Sequence, residues 1–394
     1  YEAHEVEGER DVMDTWATSS VSPQLNTRSI NEDYALDIES HRRQFPMALR
    51  PQAHEIIRTW AFYTIVKALH HENKVPWTDI AISGWCLASD GSKMSKSKGN
   101  VIDPIKMLDE YGTDPVRYWT GTSRLGQDTA LSPNTLKQGK RLVTKLWNAS
   151  KLAAMSLEGA QTHGVLNPTT PKGDIESGVI SHPLDQWLLG ELSQTIAKAT
   201  EAFENYEYAA AQREVEDFFW RTYCDNYLEI VKRRTRFEGA PEGEELSAVY
   251  TLWHATDALI RLFAPFIPYV TDALYEVMIG DGDGMPTTVH ARGMWPKADD
   301  QAPAGVFEKE GEAFVQILSA ARKVKSEAQV SMKTAANTLT ISGQGAGRVA
   351  ELIGETSEDL KAVTSAGEIV RAETAPDGVA SVVSPDERFT VSMD

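Results

Sequence analysis

Between residue 132 and about residue 286 the chain repeats apolar side chains at helical spacing and offers no convincing strand, which narrows the possible folds more than any other feature. Leu142, Leu146, Ala149 and Ala153 share one helical face, as do Leu188, Leu192, Ile196, Ala199 and Phe203. A third stripe runs Val215, Phe219, Tyr223, Tyr227, Val231. Such stripes leave water by packing on one another, so the spacing predicts a helical bundle. Within residues 262–269, Pro265 and Pro268 interrupt an apolar helical stretch. A break is expected there, because proline lacks the amide donor and its ring clashes with the preceding turn.

Upstream, residues 11–121 alternate short apolar runs with amphipathic helices, the pattern of an α/β domain. Residues 80–87 read as a buried strand with Gly84 at a point of close packing. The polar loop 89–100 follows, then two helix starts, each written as an Asp cap before a proline: Asp103-Pro104 and Asp114-Pro115. Stretches rich in Gly, Pro and polar residues at 162–178, 239–244 and 280–286 mark connections, and 297–303 reads as a linker. Beyond it the pattern predicts a long helix over 308–327 and strands near 338–342, 366–371 and 381–392, a small α+β tail.

A length of 394 residues exceeds one compact core, and 41% hydrophobic with 24% charged residues is an ordinary globular composition. No apolar run approaches the roughly 20 residues that cross a bilayer. The opening, from Tyr1 rather than Met, has neither a basic nor an apolar leader, so the expectation is a cytoplasmic piece of a longer protein. Two cysteines, Cys86 and Cys224, exclude a disulfide scaffold and a Cys-x-x-Cys zinc site, and no protein-held metal is expected. A net charge of -18 opposes indiscriminate binding to a polyanion, so any RNA contact requires a local basic patch. Two candidates stand out: Lys137, Lys140, Arg141 and Lys145, and the run Lys232, Arg233, Arg234, Arg236. Phe219, Trp220 and Tyr223 are aromatics that could stack bases beside them. The run at 232–236 also suits a helix C-terminus, where cations answer the macrodipole.

The sharpest signal is Lys93-Met94-Ser95-Lys96-Ser97-Lys98-Gly99-Asn100. Compact ammonium charges on flexible stems can follow negative charge as it moves along a triphosphate, and serine hydroxyls and loop amides add donors. A solvated basic surface loop would have the same composition, and the residues of the loop alone do not choose between the two; the loop lies between a strand and a helix.

These residues resemble the KMSKS signature of class I aminoacyl-tRNA synthetases, continued by the Lys98-Gly99-Asn100 common in the valine, isoleucine and leucine enzymes. The resemblance implies that Lys93 and Lys96, helped by Ser95 and Ser97, stabilise the transition state of amino-acid adenylation, with Met94, Gly84 and Trp85 near the adenine. Residues 11–20, Asp-Val-Met-Asp-Thr-Trp-Ala-Thr-Ser-Ser, are similar to the Asp-Thr-Trp segment of the valyl members. Residues 53–60, Ala-His-Glu-Ile-Ile-Arg-Thr-Trp, resemble the family helix that binds ribose and walls the amino-acid pocket. By position, Glu55 takes the ribose hydroxyls with His54 beside the nucleotide, while Trp16, Ile56 and Trp60 shape an apolar valine cavity. Ala53 departs from the glycine often found there. Plain core would give Ile56 and Trp60 the same burial.

Residues 204–234 are similar to the helical anticodon-binding domain of the same group, and 320–327 to its C-terminal junction. The implied architecture is α/β, the C-terminal half of a Rossmann-like catalytic domain (1–131), then an all-α anticodon-binding bundle (132–296) and a small α+β domain (304–394). The implied reaction is activation of valine with ATP and Mg²⁺, then transfer to tRNA(Val), by a monomer. The chain contains no His-x-Gly-His, the family's other nucleotide motif, so this segment by itself is expected not to adenylate valine. The alternatives are a tRNA-binding module without catalysis, and an isoleucyl or leucyl enzyme.

Overall fold

The computed structural model describes residues 4, 7, 10–11, 14–27, 37–161, 168–235, 240–279 and 288–394. It divides into two compact units, residues 1–105 with 122–133, and residues 106–121 with 134–394. Val12, Met13, Arg236, the connection 280–286 and parts of the other two expected connections lie outside the described residues.

The first unit opens with α1 (Thr15–Ser19), α2 (Ser22–Asn26) and α3 (Ile38–Gln44), followed by a βαβ crossover. Strands β1 (Met47–Ala53) and β2 (Trp77–Ser83) are parallel, with Arg50 opposite Ile80, and α4 (Phe62–Glu72) joins them. A 3₁₀ turn (His54–Ile56) and a π turn (Ile57–Ala61) lead into α4. 3₁₀ turns are common at helix ends, and single π turns inside helices occur frequently at functional sites.

The strand expected over 80–87 is broken and is not buried. β2 stops at Ser83, the chain bends at Gly84 and Trp85, and β3 (Cys86–Leu87) pairs with β4 (Thr129–Ala130). Ile80 is 40% exposed, because the β1–β2 sheet has two strands among the described residues and no layer over that side chain. After the loop, α5 (Pro104–Tyr111) starts where expected, with Asp103 Oδ1 accepting from the Ile105 amide at 3.0 Å.

In the second unit α6 (Thr113–Gly121) starts before Asp114, so Asp114 does not cap it. Its buried carboxylate instead accepts from the amides of Tyr269 (3.1 Å) and Val270 (2.8 Å). It therefore caps a distant helix, α14, satisfying donors that no intrahelical bond can reach. The bundle comprises α7 (Pro133–Gln161), α8 (Pro171–Glu176), α9 (Pro183–Glu204), α10 (Tyr208–Asp217), α11 (Leu228–Ile230), α12 (Lys232–Thr235), α13 (Glu242–Phe263), α14 (Pro268–Ile279) and α15 (Val289–Arg292). The break between α13 and α14 falls at Pro265 and Pro268, as their missing donors require.

A π-helix, Phe218–Tyr227, joins α10 to α11. It explains the third stripe, whose members are spaced by four, longer than the α-helical period. Wider i→i+5 turns keep Val215, Phe219, Tyr223, Tyr227 and Val231 on one face, each 0% exposed.

The long helix α16 (Glu308–Glu327) has the expected bounds. It packs on a four-stranded sheet of order β6-β5-β8-β7, built from β5 (Ala336–Ser342), β6 (Ala366–Ala372), β7 (Ala380–Val383) and β8 (Thr390–Met393), with α17 (Ala346–Leu352) and α18 (Ser357–Thr364) between β5 and β6. The single strand expected over 381–392 is a hairpin, β7 and β8 pairing antiparallel. Buried Lys325 of α16 donates to the carbonyls of Met332 (3.0 Å), Thr334 (2.5 Å) and Thr364 (2.6 Å), using all three of its protons on backbone.

A buried charge network ties this α+β part to the bundle. Arg234 forms a two-pronged pair with Asp185 (2.7 and 2.8 Å) and donates through Nε to Asp359 of α18 (2.9 Å). Ser247 and Tyr227 also donate to Asp185, at 2.6 and 2.8 Å. Burial alone would raise the Asp185 carboxyl, but the Arg234 guanidinium holds it below its ordinary value. The unfolded chain thus takes up this proton at a higher pH than the folded one. The stability is present above the ordinary Asp range near about 3.9 and is lost as pH falls through the lowered value. Arg234→Met, which strands the Asp185 carboxylate in the interior and leaves Asp359 with Arg233 as its arginine partner, should lower the unfolding free energy by about 3–5 kcal/mol in urea titrations at neutral pH. A loss below about 1 kcal/mol would show that the network contributes no more than a surface pair.

Candidate active site

The site begins where β2 ends. A Cβ added at Gly84 would lie 2.2 Å from the carbonyl oxygen of Gln127, so only glycine allows the two segments to come this close. The bend is fixed by Asp128, whose Oδ1 accepts from the Trp85 amide at 2.7 Å. From there the Trp85 indole N–H donates to Glu55 Oε2 at 2.7 Å. Lys93 Nζ reaches the same oxygen at 3.1 Å and stands 4.0 Å from the Trp85 ring centroid. The His54 ring lies 4.9 Å from that of Trp85, with its Nδ1 3.2 Å from the Ser83 carbonyl. Residues 54, 55, 84, 85 and 93, far apart in sequence, thus form one cluster.

The Lys93 and Trp85 hydrogen bonds hold the Glu55 carboxyl below its ordinary value. Their hold is present above the usual carboxylate range and is lost as pH falls through the lowered one. With Lys93 at 55% and Glu55 at 44% side-chain exposure, the pair is open to water and exchangeable.

Beyond Lys93 the loop is closed by Asn100. Its carboxamide accepts from the Ser95 amide (2.9 Å) and donates to Ser92 Oγ (2.8 Å) and the Lys93 carbonyl (3.2 Å). Ser95 Oγ caps a 3₁₀ turn, Lys96–Lys98, by accepting from the Lys98 amide at 3.2 Å, and Ser97 Oγ is 3.2 Å from Ser95 Oγ. Met94 turns inward, its sulfur 3.5 Å from the Ile102 amide. Lys96, Ser97 and Lys98 are left exposed at the tip, and Gly99 (φ +67°) provides the left-handed turn out of it. Neither the closing role of Asn100 nor the clamp of Asp128 has a local sequence signal.

Trp16, Ile56 and Trp60 are each partly buried. The Trp60 indole N–H donates to the Ser19 carbonyl at 3.0 Å and Lys67 Nζ bonds the Ala17 carbonyl, so both hold α1, which carries Trp16, against the π turn and α4. The guanidinium of Arg50, a residue absent from the sequence reading, lies 3.6 Å from the Trp60 ring centroid and 4.9 Å from that of Trp77.

Of the basic candidates, Lys137, Lys140, Arg141 and Lys145 converge with Trp220 on a groove of about 530 Å³. The second candidate patch does not form. Lys232 pairs with Glu229 (2.6 Å), Arg233 with Glu244 (2.8 Å) and Asp359 (3.1 Å), and Arg234 is wholly buried. These residues lie where the bundle meets α18 and are neutralised by acids that the fold brings to them. Phe219 and Tyr223, expected to stack bases, are 0% exposed, and the Tyr223 hydroxyl is 2.6 Å from Thr256 Oγ1. Only Trp220 of the three reaches the groove.

Residues 1–132 match the family model of class I tRNA synthetases (I, L, M and V), and residues 185–340 that of the anticodon-binding domain of tRNA ligase. A valine–tRNA ligase of Rickettsia felis is 47% identical over 371 residues, covering 94% of this chain and 41% of that protein. One from Wolbachia sp. subsp. Brugia malayi is 42% identical over 394 residues, covering 100% of this chain and 44% of its own. The chain spans less than half the length of these curated relatives. Among solved structures, the Agrobacterium radiobacter K84 LeuRS-tRNA-LeuAMS ternary complex matches in fold with a TM-score of 0.56 at 19% identity, over 74% of this chain and 34% of that one.

The close approach at Gly84 gives a direct expectation. Gly84→Ala forces residues 84 and 127 apart, and an overpacked core position of this kind lowers stability by about 1–3 kcal/mol. The check is urea unfolding followed by tryptophan emission, and an unchanged midpoint would mean that the two segments do not meet.

Proposed function

The chain belongs to the class I aminoacyl-tRNA synthetases, within the valine–tRNA ligase family, and on that premise we infer that it contributes the KMSKS loop, part of the valine cavity and the tRNA-binding helices to an enzyme that activates valine. In this reading residues 1–131 form the second half of the catalytic domain, 132–296 the anticodon-binding bundle and 304–394 a small terminal domain. The observation that carries it is the meeting of Lys93 and Trp85 on one oxygen of Glu55.

Glu55 is the acid that takes the ribose hydroxyls of ATP. Hydroxyl donors arriving at its oxygens replace the Lys93 ammonium, and so binding of the sugar frees that lysine. His54, Gly84, Trp85 and Met94 line the adenine side. Freed Lys93, with Lys96 on the exposed tip and the hydroxyls of Ser95 and Ser97, then faces the triphosphate. A valine carboxylate oxygen attacks the α-phosphorus, the bond to the bridging oxygen breaks, and pyrophosphate leaves with the electron pair. The lysines act where charge accumulates in that step, which is why they raise rate more than ground-state binding. A hydroxyl of the terminal adenosine of tRNA(Val) then attacks the valyl carbonyl, and AMP leaves.

In this reading Mg²⁺ would accompany the ATP phosphates; among the described residues no group of three or more His, Cys, Asp or Glu is placed to hold a metal. Trp16, Ile56 and Trp60 wall the valine side chain. Lys140, Arg141 and Lys145 neutralise tRNA phosphates in the groove beside Trp220. The setting that suits two unpaired cysteines is the cytoplasm, with the enzyme acting as a monomer. No helix among the described residues is long and apolar enough to cross a membrane.

In the full-length protein, Lys96→Ala should lower valine-dependent pyrophosphate exchange by roughly 10²–10³-fold while valine affinity stays within about twofold. Equal loss of valine affinity would count against a transition-state role. For tRNA, the logarithm of affinity should fall linearly with that of salt concentration, and replacing Lys140, Arg141 and Lys145 by alanine should reduce that slope by about one per lost phosphate contact. Binding indifferent to salt argues against phosphate contacts in the groove.

A further inference from the structure

We propose that Arg50 is a positioning residue of the amino-acid cavity, fixing the Trp60 wall and, through it, the α1 segment that carries Trp16. The inference rests on the assignment of Trp16 and Trp60 to the valine pocket and adds to it a residue that neither the motif nor the family resemblance contains. In β1 the side chains of Arg50 and Gln52 turn to the same buried face, at 4% and 7% exposure. The Arg50 guanidinium lies between two indoles, 3.6 Å from the Trp60 centroid and 4.9 Å from that of Trp77. Its Nε and Nη2 find no hydrogen-bond acceptor among the described residues. Those two N–H groups lie along the edge that would take a carboxylate in a two-pronged pair. Arginine does not shed its proton inside a protein, so among the described residues its charge is answered by the negative faces of the rings.

The Trp60 ring is therefore fixed twice, by Arg50 on its face and by the Ser19 carbonyl at its indole N–H, 3.0 Å away. Ser19 ends α1, four residues after Thr15 and three after Trp16, so a shift of the ring moves the anchor of the second wall as well. Discrimination of one methylene in an apolar cavity depends on walls that do not give way. A cation stacked on the ring of one wall supplies that stiffness.

The test is made in the full-length enzyme with Arg50→Met, Arg50→Lys and Trp60→Ala, by pyrophosphate exchange with valine and with isoleucine. Arg50→Met keeps the stem and removes the charge. It should raise the KM for valine about tenfold with kcat nearly unchanged, raise the isoleucine-to-valine ratio of kcat/KM by about tenfold, and shift the tryptophan emission. Arg50→Lys, which keeps a cation but not the planar stack, should fall between it and the wild type. Active-site titration restricts the comparison to folded enzyme. Wild-type KM and amino-acid ratio in folded Arg50→Met, with Trp60→Ala impaired, overturns the role of Arg50 alone. If Trp60→Ala also leaves the valine KM unchanged, the pocket assignment itself is overturned.

Discussion

A missing side chain governs the geometry of this site. Because position 84 carries no Cβ, the backbone leaving β2 can lie against residue 127 at a distance that any larger residue would forbid. That approach places the Trp85 amide on Asp128, and the indole then extends toward Glu55. Lys93, from the loop after β3, closes the cluster. A carboxylate and an ammonium group, Glu55 and Lys93, are held together here by backbone packing and not by any one strong bond. The consequence is a site that keeps its shape while its charged members remain free to exchange partners.

Charge plays the opposite part elsewhere in the molecule. Arg234 and Asp185 are removed from water altogether, and the geometry that makes this tolerable is complete: two parallel bonds to one carboxylate, a third to Asp359, and hydroxyl donors on the remaining lone pairs. Lys93 and Glu55 stay half in solvent, where a pair holds weakly and a ligand can take it over. The same chemical groups thus lock one region and leave the other adaptable, and burial decides which.

Much of this was legible in the sequence. The bundle, the proline break, the long tail helix and the lysine loop all followed from spacing and from local motifs, because each depends on residues within a few turns of one another. What was not legible depends on distant partners. Nothing near Arg234 announces Asp185 or Asp359, 49 and 125 positions away, so the central arginine of a basic run that looked ready for RNA proved to be interior. Phe219 and Tyr223 carried two readings, a buried stripe and a base-stacking surface, because aromatic spacing is the same whether a ring faces a base or a core; their burial fits the stripe. Asp114 had the correct chemistry for a cap, but the helix it caps is α14. Arg50 carried no signal at all, since its partners are two indoles drawn from different elements.

The cap supplied by Asp114 bears on where this protein can be divided. Residues 106–121 interrupt the first unit in sequence yet are built into the second. There Asp114 completes the start of α14, Arg117 donates to the Pro265 carbonyl at 2.8 Å, and the ring of Tyr118 occupies the space left by Gly139. A helical module excised from residue 134 onward would retain the helices of the bundle and lose the wedge that seats two of them. The compact unit that holds the bundle therefore begins within α5, some thirty residues before the bundle's first long helix, and a cut placed by sequence homology to the bundle alone would fall on the wrong side of its own keystone.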